Sequence, residues 1–515
     1  MSWTESHSRA RIARLLSTVP ETGIRVEEFA TSYRQRVQYE AKLKGTFAST
    51  ATITALPYNA VVVTDGVHVY ANLLDFDTYL EDVGRETEAG CGRLLEFLHL
   101  HYSGIDRLVE AFAAQRVDHH GGRVHAVILE PAGPENEVER INTALSLAAA
   151  IRLLVEEASA AHQRKFGSRI RVGVESGSAL AINSGRQGEP EPLFIGDAAN
   201  QAAKLADGEQ EGVALGERAR AVLLDRGLSI TGSTGLLLNE AGYLPSAREP
   251  SIFSAFGRRG AVDNAFSEFR VNELAEAIHP ARFGFFRHDL PLSKLEFSEL
   301  IPSRSARQEM ASLFADLSGF TAYVRYGMAS GNIRQVVSNL HVIRGEMAGV
   351  LNDFGGRKIR FIGDCIQGGL AEGTQLQTHD MDTVRQAFRC AGAMRSSFEL
   401  CQDILPGIDD LGLKIGIEMG TTPITRLGIR GARSVRCSSS KAVTVSERVQ
   451  RNCDKNETAL GVSALHRAPS AIRQACDWRG AVHGLDYEAA IAFAAAMSAP
   501  AIARASEVPA EPHAR

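Results

Sequence analysis

The pattern of apolar and polar positions is clearest in the C-terminal half of the chain. An apolar run leads into the carboxylate of Asp316 and a Gly-containing turn, as in a buried strand that ends in a loop. The segment from Ile333 to Phe354 then carries apolar residues at a period close to 3.6, which predicts an amphipathic helix. Alternation over residues 355–364 predicts a hairpin that ends at Asp364. We expect the helix to return the chain to the same sheet, so that the two aspartates meet at one edge.

A second, weaker version of this pattern lies upstream. Four segments match in the same order: 69–76 with the Asp316 turn, 120–130 with the Asp364 hairpin, 169–177 with 412–420, and 198–205 with 442–449. Asn72 then stands where Asp316 does, and Glu130 stands where Asp364 does. Four matches in one order predict two copies of one domain.

These copies divide the chain into five predicted segments. They are a helical N-terminal segment (1–57), a first domain (58–225), an ordered connector (226–302), a second domain (303–497) and a disordered tail (498–515). Within the first segment the pattern predicts helices at Arg9–Leu16 and Val26–Leu43. Each copy reads as strand, helix, helix, hairpin, helix, strand, turn, helix, strand. This order predicts an α+β fold in which helices cover a mainly antiparallel sheet.

Composition narrows the class of protein. The 515 residues are 44% hydrophobic and 23% charged, as in an ordinary globular protein of two or three domains. A net charge of −5 gives no general electrostatic case for binding nucleic acid or an anionic membrane. No apolar run reaches the ~18 residues of a membrane span, and the first ten residues lack the apolar core of a secretory signal. Seven scattered cysteines suit a reduced compartment, so we expect a cytoplasmic enzyme.

The two aspartate segments resemble the catalytic domain of class III nucleotide cyclases. In that family a Phe-x-Asp-x-x-Gly-Phe-Thr turn and an Ile-Gly-Asp hairpin carry the metal-binding aspartates, and these positions are Asp316 and Asp364. The alternative is that both are turn-forming aspartates at strand ends. Both motifs occur in order with the expected helix between them, which favours the cyclase. The resemblance implies two ferredoxin-like domains in tandem, a nucleoside triphosphate substrate, and two divalent cations, Mn²⁺ or Mg²⁺.

Sites in this family lie between two domains. One domain supplies the metal aspartates, and the other supplies an Asn-x-x-x-Arg pair that steadies the phosphates. The N-terminal copy has Asn200 and, in place of the arginine, Lys204, which lie on one face of a predicted helix. The resemblance implies a catalytic role for both, against the alternative of a solvated helix face. It also implies that a helix-leading turn binds the β- and γ-phosphates through its backbone amides, at Ser318, Gly319, Phe320 and Thr321.

The opposite site is predicted to be damaged. Its metal positions would be Asn72 and Glu130, and its phosphate pair would be Thr444 and Arg448. Asparagine in place of aspartate removes one of the charges that hold a divalent cation. We therefore expect this site to be inactive, with a structural or regulatory role.

The residues expected to read the base carry neither purine code. Adenylate-forming relatives use a lysine and an aspartate, and guanylate-forming relatives use a glutamate and a cysteine. Motif alignment gives Ala126 and Leu193 in the N-terminal copy, and Arg360 and Cys437 in the C-terminal copy. A purine site without its polar readers should lose discrimination. Fused copies with an arginine in this hairpin resemble the bacterial pyrimidine cyclases of Pycsar antiphage systems, whose cyclic UMP or cyclic CMP activates a separate effector protein.

This second resemblance implies conversion of UTP, in preference to CTP, to cyclic UMP during antiphage defence. Two alternatives stay open: an adenylate cyclase with displaced base readers, and a nucleotide-binding sensor without turnover. We expect the two copies to pair within one chain or in a homodimer, and we expect no nucleic-acid partner and no membrane.

Overall fold

The computed structural model describes residues 3–44, 52–53, 56–81, 87–161, 168–184, 191–225, 243–244, 259–275, 283–374 and 376–495. The predicted tail and about half of the predicted connector lie outside the described residues.

Two sets of helices and strands follow each other along the chain. The N-terminal half contains helices α1 (Glu5–Thr18), α2 (Arg34–Leu43), α3 (Phe76–Glu81), α4 (Glu88–Ala111), α5 (Glu137–Ala161), α6 (Asp197–Ala206), α7 (Glu217–Asp225) and α8 (Arg259–Phe269). Its strands are β1 (Arg25–Glu28), β2 (Ala60–Leu73), β3 (Gln115–His120), β4 (Arg123–Ile128), β5 (Ile170–Asn183), β6 (Pro192–Ile195), β7 (Gly212–Leu215) and β8 (Tyr243–Leu244).

The C-terminal half repeats this order. Its helices are α9 (Phe320–Ala329), α10 (Ile333–Asp353), α11 (Asp380–Ile404), α12 (Lys441–Arg451), α13 (Val462–Arg467), α14 (Ser470–Ala475) and α15 (Tyr487–Ala495). Its strands are β9 (Phe285–Phe286), β10 (Ser305–Ser318), β11 (Arg357–Ile362), β12 (Cys365–Leu370), β13 (Gly412–Leu427), β14 (Val435–Ser438), β15 (Glu457–Leu460) and β16 (Ala481–His483).

The two sheets have one topology. The first has the strand order β3-β4-β2-β5-β7-β8, with β1 beside β2 and β6 beside β5, and the second has β11-β12-β10-β13-β15-β16, with β9 beside β10 and β14 beside β13. Among the described strands of each sheet only two pairs are parallel, β1–β2 and β5–β7 in the first and β9–β10 and β13–β15 in the second. The predicted α+β fold with tandem, mainly antiparallel domains is confirmed.

Close contact between a helix and a central strand fixes the position of α6. Gly173 of β5 faces this helix, and a Cβ atom at Gly173 would lie 2.1 Å from the carbonyl oxygen of Ala202. Gly416 of β13 has the same relation to the carbonyl oxygen of Ser446 in α12. Only glycine permits backbone to approach backbone so closely. Helices α6 and α12 are therefore held against their sheets at equivalent places.

The two copies pack into each other within one chain. Leu180 and Leu193, from β5 and β6, belong to the hydrophobic core of the C-terminal copy. In return Leu427 and Cys437, from β13 and β14, belong to the core of the N-terminal copy. Each copy thus inserts the end of its longest hairpin into the other, which fixes the groups that face one another across the interface.

The N-terminal segment also joins this assembly. Helix α1 lies on α10, where Arg11 makes ion pairs of 2.7 Å with Glu346 and with Asp353. The helix predicted over Val26–Leu43 is wrong in its first part, because residues 25–28 form β1 and pair in parallel with β2. Pairing with a free strand edge has overridden the local helical pattern there. Among the described residues no helix is long and apolar enough to cross a membrane.

Candidate active site

The two predicted metal aspartates lie side by side in the C-terminal copy. Asp316 is near the end of β10, opposite Lys414 of β13. Asp364 lies in the turn between β11 and β12, and β12 pairs with β10 so that Ala315 faces Ile366. The side chain of Gln450, on α12, donates a hydrogen bond of 3.2 Å to the Asp316 carboxylate. The structure therefore brings together the two carboxylates that the motifs singled out.

Burial makes this pair electrostatically costly. It raises the pKa of Asp316 to about 6. The pKa of Asp364 is raised well above its usual range, first by burial and then by the negative charge of Asp316. Two carboxylates that repel each other in a desolvated site are stabilised by a bound cation, so their chemistry fits a divalent metal. Within the described residues no cluster of three or more His, Cys, Asp or Glu side chains adds further ligands.

The N-terminal copy places α6 against this end of the C-terminal copy. The amide of Asn200 donates a hydrogen bond of 3.0 Å to the hydroxyl of Thr321, in the first turn of α9. One turn further along α6, Lys204 is exposed. The pKa of Asp197 is lowered first by its hydrogen bond from Arg325 and, least, by the charge of Lys204. Asp197 in turn forms an ion pair of 2.6 Å with Arg325 of α9. Asn200 and Lys204 thus belong to a helix that faces the predicted phosphate-binding turn.

That turn has the form of an anion-binding helix start. Ser318 ends β10, Gly319 precedes α9 in the left-handed conformation at φ 88°, and Phe320 and Thr321 begin the helix. Glycine has no side chain with which to cap the first backbone amides, so these donors stay available. The side chain of Phe320 is buried in the core, and Thr321 accepts the bond from Asn200. The backbone amides, not the Phe320 side chain, would meet the phosphates.

A cavity of about 540 Å³ lies between the copies beside this region, and its lining does not include Asp316, Lys204 or the turn at residues 318–321. Asn200 and Leu193 border it from the N-terminal copy, and Asp364 and Arg360 border it from the C-terminal copy. Its volume is in the range of small-molecule sites. Arginines form much of the remaining wall: Arg116, Arg123, Arg344, Arg426, Arg433 and Arg436.

Strand register corrects one predicted base-reading residue. Ala126 is fully buried in the core of the N-terminal copy and does not border the cavity. The two hairpins correspond at their turns, so that Gly121-Gly122 matches Gly363-Asp364 and Asp118 matches Arg360. The motif alignment instead matches Gly121-Gly122 with Gly355-Gly356, which precede β11. Both hairpins carry an irregularity at the matched position, and Arg360 donates a hydrogen bond of 2.9 Å to Asp118 across the interface.

The same register corrects the second metal position of the opposite site. Gly122, not Glu130, corresponds to Asp364. Glu130 follows β4 at its far end, about 20 Å from Asn72 along the strand. There it forms an ion pair of 3.0 Å with Arg34. The opposite site therefore lacks both carboxylates.

Its remaining predicted residues sit at the equivalent places of the second interface. The hydroxyl of Thr444 donates a hydrogen bond of 3.4 Å to Asp77, which corresponds to Thr321. Arg448 is exposed, as Lys204 is. The side-chain amide of Asn72 donates a hydrogen bond of 3.4 Å to the backbone of Ala206. Cys437 is buried in the core of the N-terminal copy, which raises the pKa of its thiol.

An internal ion pair fills the centre of the opposite site. Arg123 corresponds to Cys365, and its guanidinium donates a hydrogen bond of 2.6 Å to Glu447. His120 lies 3.4 Å from the same carboxylate. The remaining pocket is only about 30 Å³, against about 540 Å³ for the main cavity. The protein's own cation thus occupies a site whose two metal positions, Asn72 and Gly122, hold no carboxylate.

Three residues near the main site did not stand out in the sequence. Lys414 faces Asp316 across the strand pair, Asp118 lies opposite Arg360, and Arg344 borders the cavity from α10. A basic residue after the Gly412-Leu413 start of β13 was a usable signal for Lys414. The other two positions depend on how the two copies pack together, which no local pattern records.

Comparison with known proteins agrees with this geometry. The sequence profile of the adenylate and guanylate cyclase catalytic domain matches residues 303–472. A uridylate cyclase of a Rhizobium species is 44% identical over 495 residues, which cover 92% of each chain. A uridylate cyclase of Pseudomonas aeruginosa is 34% identical over 494 residues, which cover 90% of this chain and 92% of the relative.

One solved structure matches nearly the whole molecule. It is a class III adenylyl cyclase-like ATP-binding protein from Pseudomonas aeruginosa, which superposes with a TM-score of 0.82 at 31% identity. The match covers 96% of this chain and 100% of that protein. Tandem copies, paired aspartates and near full-length similarity lead to one conclusion: this chain belongs to the class III nucleotide cyclases, a family of phosphorus–oxygen lyases.

Proposed function

We propose that this protein is a uridylate cyclase, which converts UTP to 3′,5′-cyclic UMP and pyrophosphate. The ribose 3′-hydroxyl oxygen forms a bond to the α-phosphorus while the bond from that phosphorus to the bridging oxygen of pyrophosphate breaks. One observation carries the proposal: Asp364, a member of the buried carboxylate pair of one copy, and Asn200 of the other copy both border a cavity of nucleotide size. The near full-length relatives are named for this substrate.

Class III cyclases generally use divalent metal ions. Asp316 and Asp364 would hold them here, with Mn²⁺ and Mg²⁺ as the candidates. Such ions, when bound, supply charge neutralisation on the triphosphate and lower the pKa of the attacking hydroxyl.

The protein's own groups would hold the substrate in line. Uncapped backbone amides at the start of α9 would bind the β- and γ-phosphates. Asn200, already bonded to Thr321 of that turn, would orient the reacting α-phosphate, and Lys204 would offset the charge that develops on it. Lys414, opposite Asp316 in the neighbouring strand, adds a positive charge beside the carboxylate pair.

A product assay tests the substrate. Purified full-length protein would receive UTP, CTP, ATP and GTP separately, with Mn²⁺ and then with Mg²⁺, and cyclic products would be separated by chromatography and weighed by mass spectrometry. Cyclic UMP is expected as the main product. Cyclic AMP as the main product would refute the proposal in favour of an adenylate cyclase, an outcome that the ATP-binding solved relative makes worth testing. Nucleotide binding without any cyclic product would instead indicate a nucleotide sensor without turnover.

We further propose that the opposite site does not turn over. Its metal positions hold Asn72 and Gly122, and an ion pair between Arg123 and Glu447 fills its centre. The Asp316→Ala variant checks this, because a second working site would leave part of the activity intact.

The resemblance to pyrimidine cyclases of antiphage systems leads to a biological proposal. Cyclic UMP would act as a messenger in the cytoplasm, where the seven free cysteines suit a reducing environment, and would switch on a separate effector protein. Cells that carry this protein with its effector should resist phage, and the Asp316→Ala variant should abolish that resistance in a plaque assay. Equal protection by the variant would contradict a messenger role.

A further inference from the structure

A buried arginine borders the cavity without a carboxylate partner among the described residues. Arg344 lies on α10, and only 4% of it is exposed. Its guanidinium donates a hydrogen bond to the hydroxyl of Ser184 and lies over the ring of Phe361, 3.9 Å from the centroid. In the part of the chain that the structure describes, no carboxylate comes within 4.0 Å of it, and its Nε–H has no hydrogen-bond acceptor.

Such an arrangement is costly unless a ligand completes it. Burial lowers the pKa of Arg344 to about 10, so the side chain is still charged at neutral pH. The contact with the Phe361 ring only partly offsets the desolvation of the Arg344 charge. It also leaves the buried Nε–H of Arg344 without an acceptor within the described ranges. Because the residue borders the cavity, the missing acceptor would belong to a molecule bound there.

The neighbours of Arg344 indicate which part of a nucleotide it meets. Ser184 and Glu191 pair through their backbones at the start of the hairpin that carries Leu193, the residue at the family's base-reading position. Glu191 is itself paired with Lys358, 2.9 Å away, and its charge acts on Arg344 only from beyond ion-pair distance. The phosphate-binding end is formed by Thr321 and Asn200 on other elements. Arg344 therefore lies where the hairpin that carries Leu193 meets the cavity, and it also interacts electrostatically with Asp364.

We propose that Arg344 is a specificity-determining residue whose guanidinium donates a hydrogen bond to the C4 carbonyl oxygen of the uracil ring, the position at which cytosine carries an amino group. This inference rests on the proposed function, with UTP as the substrate. The pairing edge of uracil presents two carbonyl oxygens, whereas cytosine has an amino group in place of one. Arginine can only donate, so it stabilises a carbonyl and opposes an amino group. One well-placed contact of this kind is worth roughly 10- to 100-fold in selectivity.

The experiment measures kcat/KM for UTP and for CTP, with Mn²⁺, for the full-length protein and for Arg344→Met and Arg344→Lys. The Met variant is expected to lose roughly 10- to 100-fold on UTP but less than about threefold on CTP, so that the ratio falls. The Lys variant keeps the charge but loses the planar fork, and an intermediate ratio is expected. If the Met variant does not fold, the UTP-to-CTP ratio of kcat/KM for the Lys variant tests the assignment.

Arg395 provides the matched control. It is also buried, at 2% exposure, and its pKa is also lowered to about 10, but it bonds to Leu413 and Glu457 away from the cavity. Arg395→Met should lower stability and leave the UTP-to-CTP ratio unchanged.

Two outcomes overturn the assignment of Arg344. If UTP and CTP fall together at an unchanged ratio, the residue has only a structural role. If they fall together and inhibition by pyrophosphate also weakens, it contacts phosphate instead of base. Failure of the unaltered protein to cyclise UTP is a different result, because it overturns the proposed function and this inference with it.

Discussion

Replacing the Asp316 carboxylate by an amide is expected to abolish cyclisation and to stabilise the metal-free protein. Asn keeps the shape of the side chain and can still pair with Gln450, which lies 3.2 Å from the carboxylate. It removes one negative charge from the buried pair with Asp364. Bound metal ions supply several kcal/mol of transition-state stabilisation, so activity should fall by at least ~10³-fold in Asp316→Asn.

The stabilising effect follows from the pKa of Asp316. Burial raises this pKa from the ordinary 3.8 to about 6, so the folded protein holds the proton more tightly than the unfolded chain does. The resulting stabilisation is fully present below about pH 4 and is lost as the pH rises through about 6. The gap between the two values corresponds to roughly 3 kcal/mol. Wild-type protein without metal should lose up to this amount by pH 7.5 in addition to the loss that arises from Asp364, whereas the Asn variant should show only the loss from Asp364.

Thermal unfolding in EDTA from pH 4 to pH 8 measures this effect. The Tm of Asp316→Asn should exceed that of wild type at pH 7.5 by a few degrees, and the two should converge near pH 4. Added Mn²⁺ should raise the Tm of wild type and not that of the variant, because only wild type binds it tightly. Asp409→Asn, which alters an exposed carboxylate in the same copy, should change neither property. A variant that cyclises UTP normally, or melts at the wild-type temperature throughout, would refute the assignment of Asp316 to a buried metal-binding pair.

Three further substitutions test other parts of the molecule. Lys204→Ala should lower kcat by roughly 10²-fold with little change in KM, and Lys204→Arg should retain most activity; equal rates in all three proteins would exclude a phosphate role. Glu447→Gln should destabilise the protein by about 1–3 kcal/mol at neutral pH by leaving Arg123 poorly paired. The pKa of Glu447 lies well below its usual range because of Arg123 and His120, despite burial, so this difference should shrink as the pH falls through that depressed value. Arg11→Ala should cost about 3–5 kcal/mol by stranding the buried Glu346, and an unchanged denaturant midpoint would show that α1 is not anchored there.

Local patterns were sufficient for much of this protein. The amphipathic period predicted the helix from Ile333, and the structure begins α10 at that residue. The two aspartates could be paired from their motifs because each is tied to a turn whose residue types are themselves informative. Internal repetition revealed the second copy, since equivalent strands and helices keep similar apolar patterns even where their chemistry has diverged.

Tertiary structure decided the features that depend on register and on packing between copies. The sequence analysis matched the glycines at positions 121 and 122 with Gly355 and Gly356, and the strand pairing instead shows that they form the turn equivalent to Gly363-Asp364. Slipping a hairpin by several residues changes which side chains meet across a sheet, so Glu130 and Ala126 were assigned wrongly and Asp118 was missed. Arg344 lies in an ordinary helical pattern. It borders a cavity only because the β5–β6 hairpin of the other copy packs beside it. The sequence alone thus determined the fold and the acidic pair, because these rest on short-range periodicity and turn chemistry, whereas the base end of the site depends on contacts between residues far apart in the chain.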